Sequence, residues 1–207
     1  MAKIALYPSL EDKVVLITGG ASGIGESIVK KFLEQGSKVA FIDKEKKLGL
    51  NLVKKLQNYN HKPIFVECDL INIPKLKKSI SEIRKKIGRI SILINNAAND
   101  TRHNFEKVTP EYWDNRLNVN LRHFFFTIQS TYKDMKFLGK GSIVNLGSFS
   151  WMKGTPGMPG YTTSKSAIAG LTKTFARELG PYNIRVNCVA PGLITTERQK
   201  KLWITPT

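Results

Sequence analysis

Apolar and polar positions follow a repeating order along the chain. Six short runs are almost continuously apolar and rich in β-branched residues: 13–19, 38–43, 62–68, 91–97, 141–148 and 184–192. Between them lie longer segments in which apolar residues recur at helical spacing. Continuously apolar strands are typical of a parallel sheet that is covered on both faces. The pattern predicts a single doubly wound parallel α/β domain, the Rossmann fold, over 1–207, with ligands at the carboxyl ends of the strands.

Glycine, proline and capping residues predict where the helices begin and end. The segment after the first strand reads as a helix that stops at Gly36, and a long helix is expected to begin at Thr109, with Pro110 in its first turn. Further helices are expected over 44–57, over 73–88 and beyond 161–165. The chain stops soon after the sixth strand, at "RQKKLWITPT", so either the fold ends there or the sequence is a fragment.

Composition limits the class of protein. At 207 residues and 41% hydrophobic content the chain can bury the core of one globular domain. No apolar run approaches the ~18 residues that span a bilayer, and Pro8 with nearby acids interrupts any secretory signal. Cys68 and Cys188 are expected to be buried free thiols in a reducing cytoplasm, because both lie in apolar runs.

The formal net charge of +17 has two interpretations, a nucleic-acid site or a solvated surface. Lysines are scattered over the predicted helices and alternate with apolar positions, whereas a nucleic-acid site would group them on one surface. The pattern favours a solvated surface, and no nucleic acid or membrane is expected as a partner. No group of His, Cys, Asp and Glu has metal-ligand spacing, so no metal is expected either.

A glycine-rich turn, "TGGASGIG", follows the first strand. Gly19, Gly23 and Gly25 do not match G-x-G-x-x-G, but small residues there would let a pyrophosphate approach the start of a helix. The alternative is a glycine-rich turn without a ligand. Asp43 ends the second strand 18 residues after Gly25, a spacing typical of an acid that binds the adenosine ribose. A carboxylate there favours NAD over NADP, although Lys44 weakens the inference.

Two further features are ambiguous when taken alone. Asp69, after the third strand, suits either a contact with the adenine edge or a turn. Tyr161 and Lys165 lie four residues apart on a predicted helix, so their side chains share a face. In a chain so rich in lysine, that spacing also arises by coincidence.

Taken together, the motifs resemble the short-chain dehydrogenase/reductase family over residues 13–203. They are "TGGASGIG" for the cofactor loop, "CDL", "NNAA", "NVNL", "GSFS", "YTTSK" and "PGLITT". Ser148 precedes Tyr161 by thirteen residues, as the family pattern requires. Ala98 departs from the pattern, since the family usually has glycine there, and its extra methyl group could crowd the cofactor.

The resemblance implies roles for particular residues. Its catalytic set is Asn120, Ser148, Tyr161 and Lys165. Its cofactor-binding set, for NAD, is Gly19, Ser22, Gly23, Ile24, Gly25, Asp43, Asp69, Leu70, Asn96, Tyr161, Lys165, Pro191, Gly192, Ile194 and Thr196. It also implies a tetramer or dimer, formed partly through a seventh strand and helices beyond Thr207. Without them, weak assembly, an open site and low activity are expected.

A narrower resemblance points to the substrate. The stretches "NNAANDTRH", "TPEYWDNRLNVNL", "GSFSWM" and "TERQKKLW" resemble bacterial aldose 1-dehydrogenases that act on xylose, arabinose or galactose. The expected sugar-binding residues are Asn99, Ser148, Trp151 and Tyr161, with Arg102, Asn104 and Gln199 as weaker candidates. Trp151 could instead be a core or lid residue, and Arg102 a surface one.

The implied mechanism is oxidation of the anomeric carbon to a lactone, with Tyr161 as general base. Lys165 would lower the pKa of Tyr161 towards neutrality and bind the nicotinamide ribose, and Ser148 would position the reacting oxygen. Asn120 would hold a water that relays protons, or would be an ordinary solvent-facing helix residue. The alternatives are a carbonyl or 3-oxoacyl reductase of the same family, a non-catalytic dinucleotide sensor, or a nucleic-acid-associated scaffold.

Overall fold

The first strand of the chain lies inside the sheet and has a neighbour on each side. In the computed structural model, which describes residues 5–204, six strands form one sheet: β1 (Val14–Thr18), β2 (Lys38–Asp43), β3 (Ile64–Glu67), β4 (Ile92–Asn95), β5 (Gly141–Leu146) and β6 (Ile184–Val189). Their order is β3-β2-β1-β4-β5-β6, and all five pairings are parallel. The order reverses at β1, so a cleft opens between the loops that follow β1 and β4.

Helices connect the strands. They are α1 (Gly23–Glu34), α2 (Lys46–Lys55), α3 (Ile73–Ile87), α4 (Pro110–Leu117), α5 (His123–Phe137), α6 (Pro159–Leu179) and α7 (Glu197–Leu202). The predicted helix ends are well placed in two cases. Thr109 caps α4, its hydroxyl accepting from Tyr112 N at 3.2 Å. After α1, Gly36 takes a positive φ of 76°, which glycine adopts without strain.

Successive residues of the strands face opposite sides of the sheet, and each side has its own core. One cluster joins Leu16 and Ile42 to α3 and α5 through residues such as Ile80 and Ile128. The other joins neighbouring strand residues, including Ile17 and Phe41, to α1 and α2. Because both faces are covered, the strands can be apolar throughout, which confirms the predicted doubly wound parallel fold.

The prediction that both cysteines are buried is wrong for one of them. Cys68 is buried and Cys188 is exposed, and both are free thiols. Cys188 lies in β6, which is an edge strand of the sheet described here. The apolar run around it predicted a strand correctly, but burial also depends on the position of that strand in the sheet.

The long helix predicted from Thr109 is interrupted. Between α4 and α5, residues Asn118–Arg122 form a π turn, a helical segment with one extra residue in its turn. Asn120 lies inside it and is completely buried. The π turn re-aims the side chains on either side of it, and such turns are frequent at functional sites.

Candidate active site

The glycine turn after β1 forms a cradle at the start of α1. Gly19 and Gly23 have φ values of +66° and +56°, a region that favours glycine. A methyl group added to Gly25 would lie 1.9 Å from the carbonyl oxygen of Gly19. Ser22 precedes the helix, and its hydroxyl makes no capping bond to it. The start of α1 is therefore tightly packed against Gly19 and has no side-chain cap from Ser22. This arrangement fits an anionic ligand such as the pyrophosphate of a dinucleotide.

The end of β4 holds this cradle in place. The side chain of Asn96 donates to Thr18 O at 3.0 Å and to Gly19 O at 2.9 Å. In return, the Thr18 hydroxyl accepts from Asn96 N and Ala97 N at 3.0 and 3.2 Å. Asn96 was expected to bind the cofactor, and here both of its amide protons orient the loop that would do so. The motif "NNAA" signalled the position, whereas nothing local to "ITGG" signalled the role of Thr18.

The two acidic candidates for the cofactor are both placed by local backbone contacts. Asp43 accepts from Ala21 N at 3.0 Å and from Glu45 N at 3.1 Å, so its carboxylate lies against the glycine turn. Asp69 accepts from Ile71 N at 3.1 Å, which is the turn role left open by the sequence. The side chain of Leu70 belongs to the core.

Tyr161 lies in the first turn of α6 and Lys165 in the second, and Tyr161 is next to Ser148 in the loop that follows β5. Burial raises the pKa of Tyr161, the Ser148 hydroxyl lowers it, and the negative charge of Asp100 raises it. The net direction is upward, opposite to the lowering expected from Lys165. The ammonium lies 5.5 Å from the centre of the Tyr161 ring, so the two side chains share a face without forming an ion pair.

Lys165 is a buried cation held by a backbone carbonyl. It is 2% exposed, and its Nζ donates to Leu146 O at 2.6 Å. Burial lowers its pKa from 10.5 to about 7. Close by, His123 is fully buried with Nε2 3.2 Å from Ala97 O. Burial and the charge of Lys165 lower the pKa of His123 to about 3, so its ring is neutral at physiological pH.

Asn120 binds protein groups through both halves of its amide. Its Oδ1 accepts from Asn99 N at 2.7 Å, and its Nδ2 donates to Asn99 O at 3.2 Å and Arg116 O at 3.0 Å. These bonds rule out the solvent-facing alternative and fix the loop that follows β4. The water-relay role of Asn120 stays a prediction. Both protons of its Nδ2 are already donated to protein carbonyls, and only one acceptor position of its Oδ1 remains for a water.

The residues expected to bind a sugar fall into two groups. Asn99 and Trp151 are half-buried near the loops that follow β4 and β5, and Asn99 Oδ1 accepts from Thr101 N at 2.9 Å. The weaker candidates have structural partners. Asn104 caps a short turn by accepting from Glu106 N, Arg102 stacks on Trp203, and Gln199 donates to Asp100.

The roles of three residues of this region were not predicted from the sequence: Thr18, Asp100 and His123. Asp100 binds Arg198, which is 98 residues away along the chain. His123 interrupts an apolar helical pattern, which is the only local indication of an unusual role. Such contacts become visible once the strand order brings distant loops together.

Within residues 5–204, no three His, Cys, Asp or Glu side chains are grouped so that they could hold a metal ion. Nor is any helix of this range long and apolar enough to cross a membrane.

Comparison with known proteins places the chain in a family. The family model described as short chain dehydrogenase matches residues 13–206. A probable galactose dehydrogenase of Rhizobium meliloti is 45% identical over 200 residues, covering 96% of this chain and 78% of that protein. A D-xylose 1-dehydrogenase of Caulobacter vibrioides is 45% identical over 202 residues, covering 98% and 79%.

A solved structure agrees with these relatives. The ligand-free aldohexose dehydrogenase of Thermoplasma acidophilum superposes with a TM-score of 0.84 at 33% identity, covering 94% of this chain and 72% of that one. Members of this family are oxidoreductases that use a nicotinamide dinucleotide, and the glycine cradle fits that cofactor. The chain therefore belongs to the short chain dehydrogenase family of oxidoreductases.

Proposed function

We propose that this enzyme oxidises the anomeric carbon of an aldose to a lactone, with NAD⁺ as hydride acceptor. The observation that supports it most is that Tyr161 lies next to Ser148 and shares a helix face with Lys165, whose ammonium is 5.5 Å from the centre of the Tyr161 ring. The names of the relatives supply the substrate class, since those 45% identical are dehydrogenases of galactose and xylose. The loops after β4 and β5 offer polar groups and one large aromatic face, Trp151, for a sugar ring.

NAD is proposed over NADP because of Asp43. Its carboxylate lies against the glycine turn, accepting from Ala21 N and from Glu45 N. A ribose 2′-phosphate at this position would meet like charge. The residues proposed to hold NAD are those expected from the sequence: Gly19, Ser22, Gly23, Ile24, Gly25, Asp43, Asp69, Leu70, Asn96, Tyr161, Lys165, Pro191, Gly192, Ile194 and Thr196.

In the proposed reaction, the anomeric C–H bond and O–H bond both break and a carbonyl forms. NAD⁺, when bound, would supply the hydride acceptor. Tyr161 would take the hydroxyl proton, and Ser148 would hold the reacting oxygen by a hydrogen bond. Lys165 would favour the phenolate through its charge, which its lowered pKa leaves only partly present at neutral pH. The proton would then pass from Tyr161 towards Lys165 and solvent.

Aldose oxidation is tested by following NADH absorbance with a panel of aldopentoses and aldohexoses. We expect turnover of at least one sugar with NAD⁺, and a loss of about 10²- to 10⁴-fold in the Tyr161→Phe variant, because the general base is removed. The substrate class is wrong if no aldose reacts while the protein is folded and binds NAD⁺.

A coenzyme comparison separates this proposal from the alternative within the family. A 3-oxoacyl-[acyl-carrier-protein] reductase of Thermotoga maritima is 38% identical over 193 residues. A strong preference for NADPH, with reduction of a 3-oxoacyl thioester, would favour that alternative.

A second copy of the chain is the proposed partner of the outer face of α5 and α6. Three phenylalanines follow one another in α5, and consecutive helical positions point about 100° apart. Phe124 is buried, whereas Phe125 is 41% exposed. It lies in an apolar groove of about 410 Å³ lined by Leu121, Arg122, Phe125, Phe126, Ala167 and Leu171. An apolar face formed by the two helices α5 and α6 suits a self-complementary dimer.

The dimer is tested by the solution mass of the Phe125→Glu variant. We expect the native chain to be at least dimeric and the variant to shift to monomer, since a charge would be buried at the interface. Phe105→Glu is the matched control, because Phe105 is 72% exposed and lies outside the groove. A monomeric native chain, or equal masses for all three proteins, contradicts the proposal.

A further inference from the structure

His123 is a buried polar ring between helix α5 and the loop that follows β4. It is the first residue of α5, directly after the π turn, and it is completely buried. Its Nε2 lies 3.2 Å from Ala97 O. A carbonyl oxygen only accepts, and a neutral imidazole has a single N–H, so the ring proton must be on Nε2 for this bond to form. The contact therefore fixes one tautomer of the ring.

The other ring nitrogen of His123, Nδ1, is an acceptor in this tautomer. It is buried, and within residues 5–204 no donor reaches it. A buried acceptor without a donor destabilises a fold, so an apolar side chain of similar volume would occupy this position at lower cost. Packing alone does not account for a histidine here. What an apolar side chain could not supply is the bond from Nε2 to Ala97 O.

The residue that receives this bond packs against the glycine cradle. Ala97 lies so close to Gly19 that a methyl group added to the glycine would be 2.7 Å from Ala97 Cα. Its own N–H donates to the Thr18 hydroxyl at 3.2 Å. His123 and Thr18 thus hold the carbonyl and the N–H of the same residue. Ala97 forms one wall of the cleft between the ends of β1 and β4, and side chains fix both of its backbone groups.

The neighbouring contact of the π turn does not replace this bond. Asn120 binds the N–H and the carbonyl of Asn99, two residues further along the loop. In the part of the chain that the structure describes, His123 is the only side chain that donates to Ala97 O. The carbonyl next to the cradle therefore depends on one ring nitrogen, whereas the outer part of the loop depends on Asn120.

We propose that His123 is a positioning residue for the dinucleotide, because its Nε2–H holds Ala97 against the cradle in the arrangement that the cofactor needs. Without this bond the peptide group after Ala97 is free to rotate, and binding of the dinucleotide must then order it again. The loss falls on dinucleotide affinity. The inference requires that the nicotinamide dinucleotide of the family binds in this cradle, and it requires neither an aldose substrate nor a preference for NAD over NADP.

The first test is the His123→Leu variant, which removes the donor at similar volume. Native protein is titrated calorimetrically with NAD⁺ and with NADP⁺, and the coenzyme that binds more tightly is then used for every variant. We expect the Kd of His123→Leu to rise about tenfold, or about 1.4 kcal/mol, as for the loss of one hydrogen bond. Its midpoint in urea should equal or exceed that of the native chain, because the unpaired Nδ1 is gone.

Rescue by His123→Gln separates positioning from mere packing. The glutamine amide can donate to Ala97 O, so this variant should return the Kd to within about threefold of the native value. Thr131→Val is the matched control. Thr131 is buried on the same helix, and its hydroxyl donates to Thr127 O and Ile128 O of that helix. Its loss should leave the Kd unchanged.

The tautomer of His123 is measured by long-range ¹H–¹⁵N correlation NMR of protein labelled at histidine, without coenzyme or sugar. The chain has three histidines, and the His123→Gln variant assigns the signal. Burial lowers the pKa of His123 to about 3, so we expect the neutral Nε2–H form throughout the range from about pH 5 to 9. This measurement and the His123→Gln titration decide the question even if His123→Leu does not fold.

The proposal is overturned if His123→Leu binds the coenzyme as tightly as the native chain, or if His123→Gln binds it no better than His123→Leu. A proton on Nδ1, or a native chain that binds neither coenzyme, overturns it as well. No sugar enters these experiments. An enzyme that oxidises no aldose could still depend on His123 for its coenzyme, and an aldose dehydrogenase could be indifferent to this residue.

Discussion

Replacing Lys165 with methionine is expected to stabilise the protein while abolishing turnover. Burial lowers the pKa of Lys165 from 10.5 to about 7. Each pH unit of this difference costs about 1.4 kcal/mol of folding free energy when the unfolded lysine is charged. Methionine has a similar volume and no charge, and it forfeits the bond to Leu146 O, worth about 1 kcal/mol. We expect a net gain of about 2–4 kcal/mol in the free energy of unfolding at pH 7.

The pH dependence of this gain has a definite sign. The unfolded lysine binds its proton below about 10.5, whereas the folded one does so only below about 7. The native chain therefore loses stability as the pH falls from 10.5 to 7, and the cost of the buried lysine is constant below that window. The advantage of Lys165→Met should shrink as the pH rises from 7 towards 10.5.

Urea unfolding at several pH values measures the effect of Lys165→Met. Lys173→Met is the matched control, because Lys173 is exposed on the same helix. It should change stability by less than about 0.5 kcal/mol and retain activity. A Lys165→Met protein that is less stable than the native chain at pH 7 would show that the cation is not a burden on the fold.

A single methyl group at Gly25 is expected to weaken dinucleotide binding strongly. The added Cβ would lie 1.9 Å from Gly19 O and 2.8 Å from Asn96 Nδ2. Both atoms belong to the clamp between the ends of β1 and β4, so the start of α1 or the loop itself must move. We expect Gly25→Ala to raise the Kd for NAD⁺ about a hundredfold and to destabilise the fold by about 1–3 kcal/mol.

Calorimetric titration with NAD⁺ and chemical unfolding test this prediction without any assay of turnover. Gly170→Ala is the control, since nothing lies within 4 Å of its added methyl group and Gly170 is an exposed residue inside helix α6. That change should leave NAD⁺ affinity unaltered and gain up to about 1 kcal/mol in stability. Native affinity in Gly25→Ala would mean that the glycine cradle does not hold the cofactor.

Sequence reasoning succeeded where a local pattern has a local cause. The apolar runs predicted the parallel strands because both faces of this sheet are covered, and Thr109 and Gly36 marked helix ends through their own chemistry. The positions of Tyr161 and Lys165 followed from helical spacing. Each of these features depends on a few consecutive residues, so it can be predicted from the sequence.

The features that were missed depend on the arrangement of distant segments. The exposure of Cys188 follows from the edge position of β6, which no local pattern encodes. The π turn around Asn120 adds one residue to a helix whose apolar spacing looks continuous. The pKa of Tyr161 is raised by its burial, lowered by the Ser148 hydroxyl and raised by Asp100, and the net direction is upward.

The clamp between Asn96 and the glycine turn has a consequence for the order of folding. Its bonds join residues 77 and 78 positions apart, so a chain emerging from the ribosome completes the glycine turn long before the residue that orients it. Contacts this far apart in sequence form slowly, because a long loop must close first. The dinucleotide cradle should therefore mature well after its own turn has been synthesised, although its signature stands near the amino terminus.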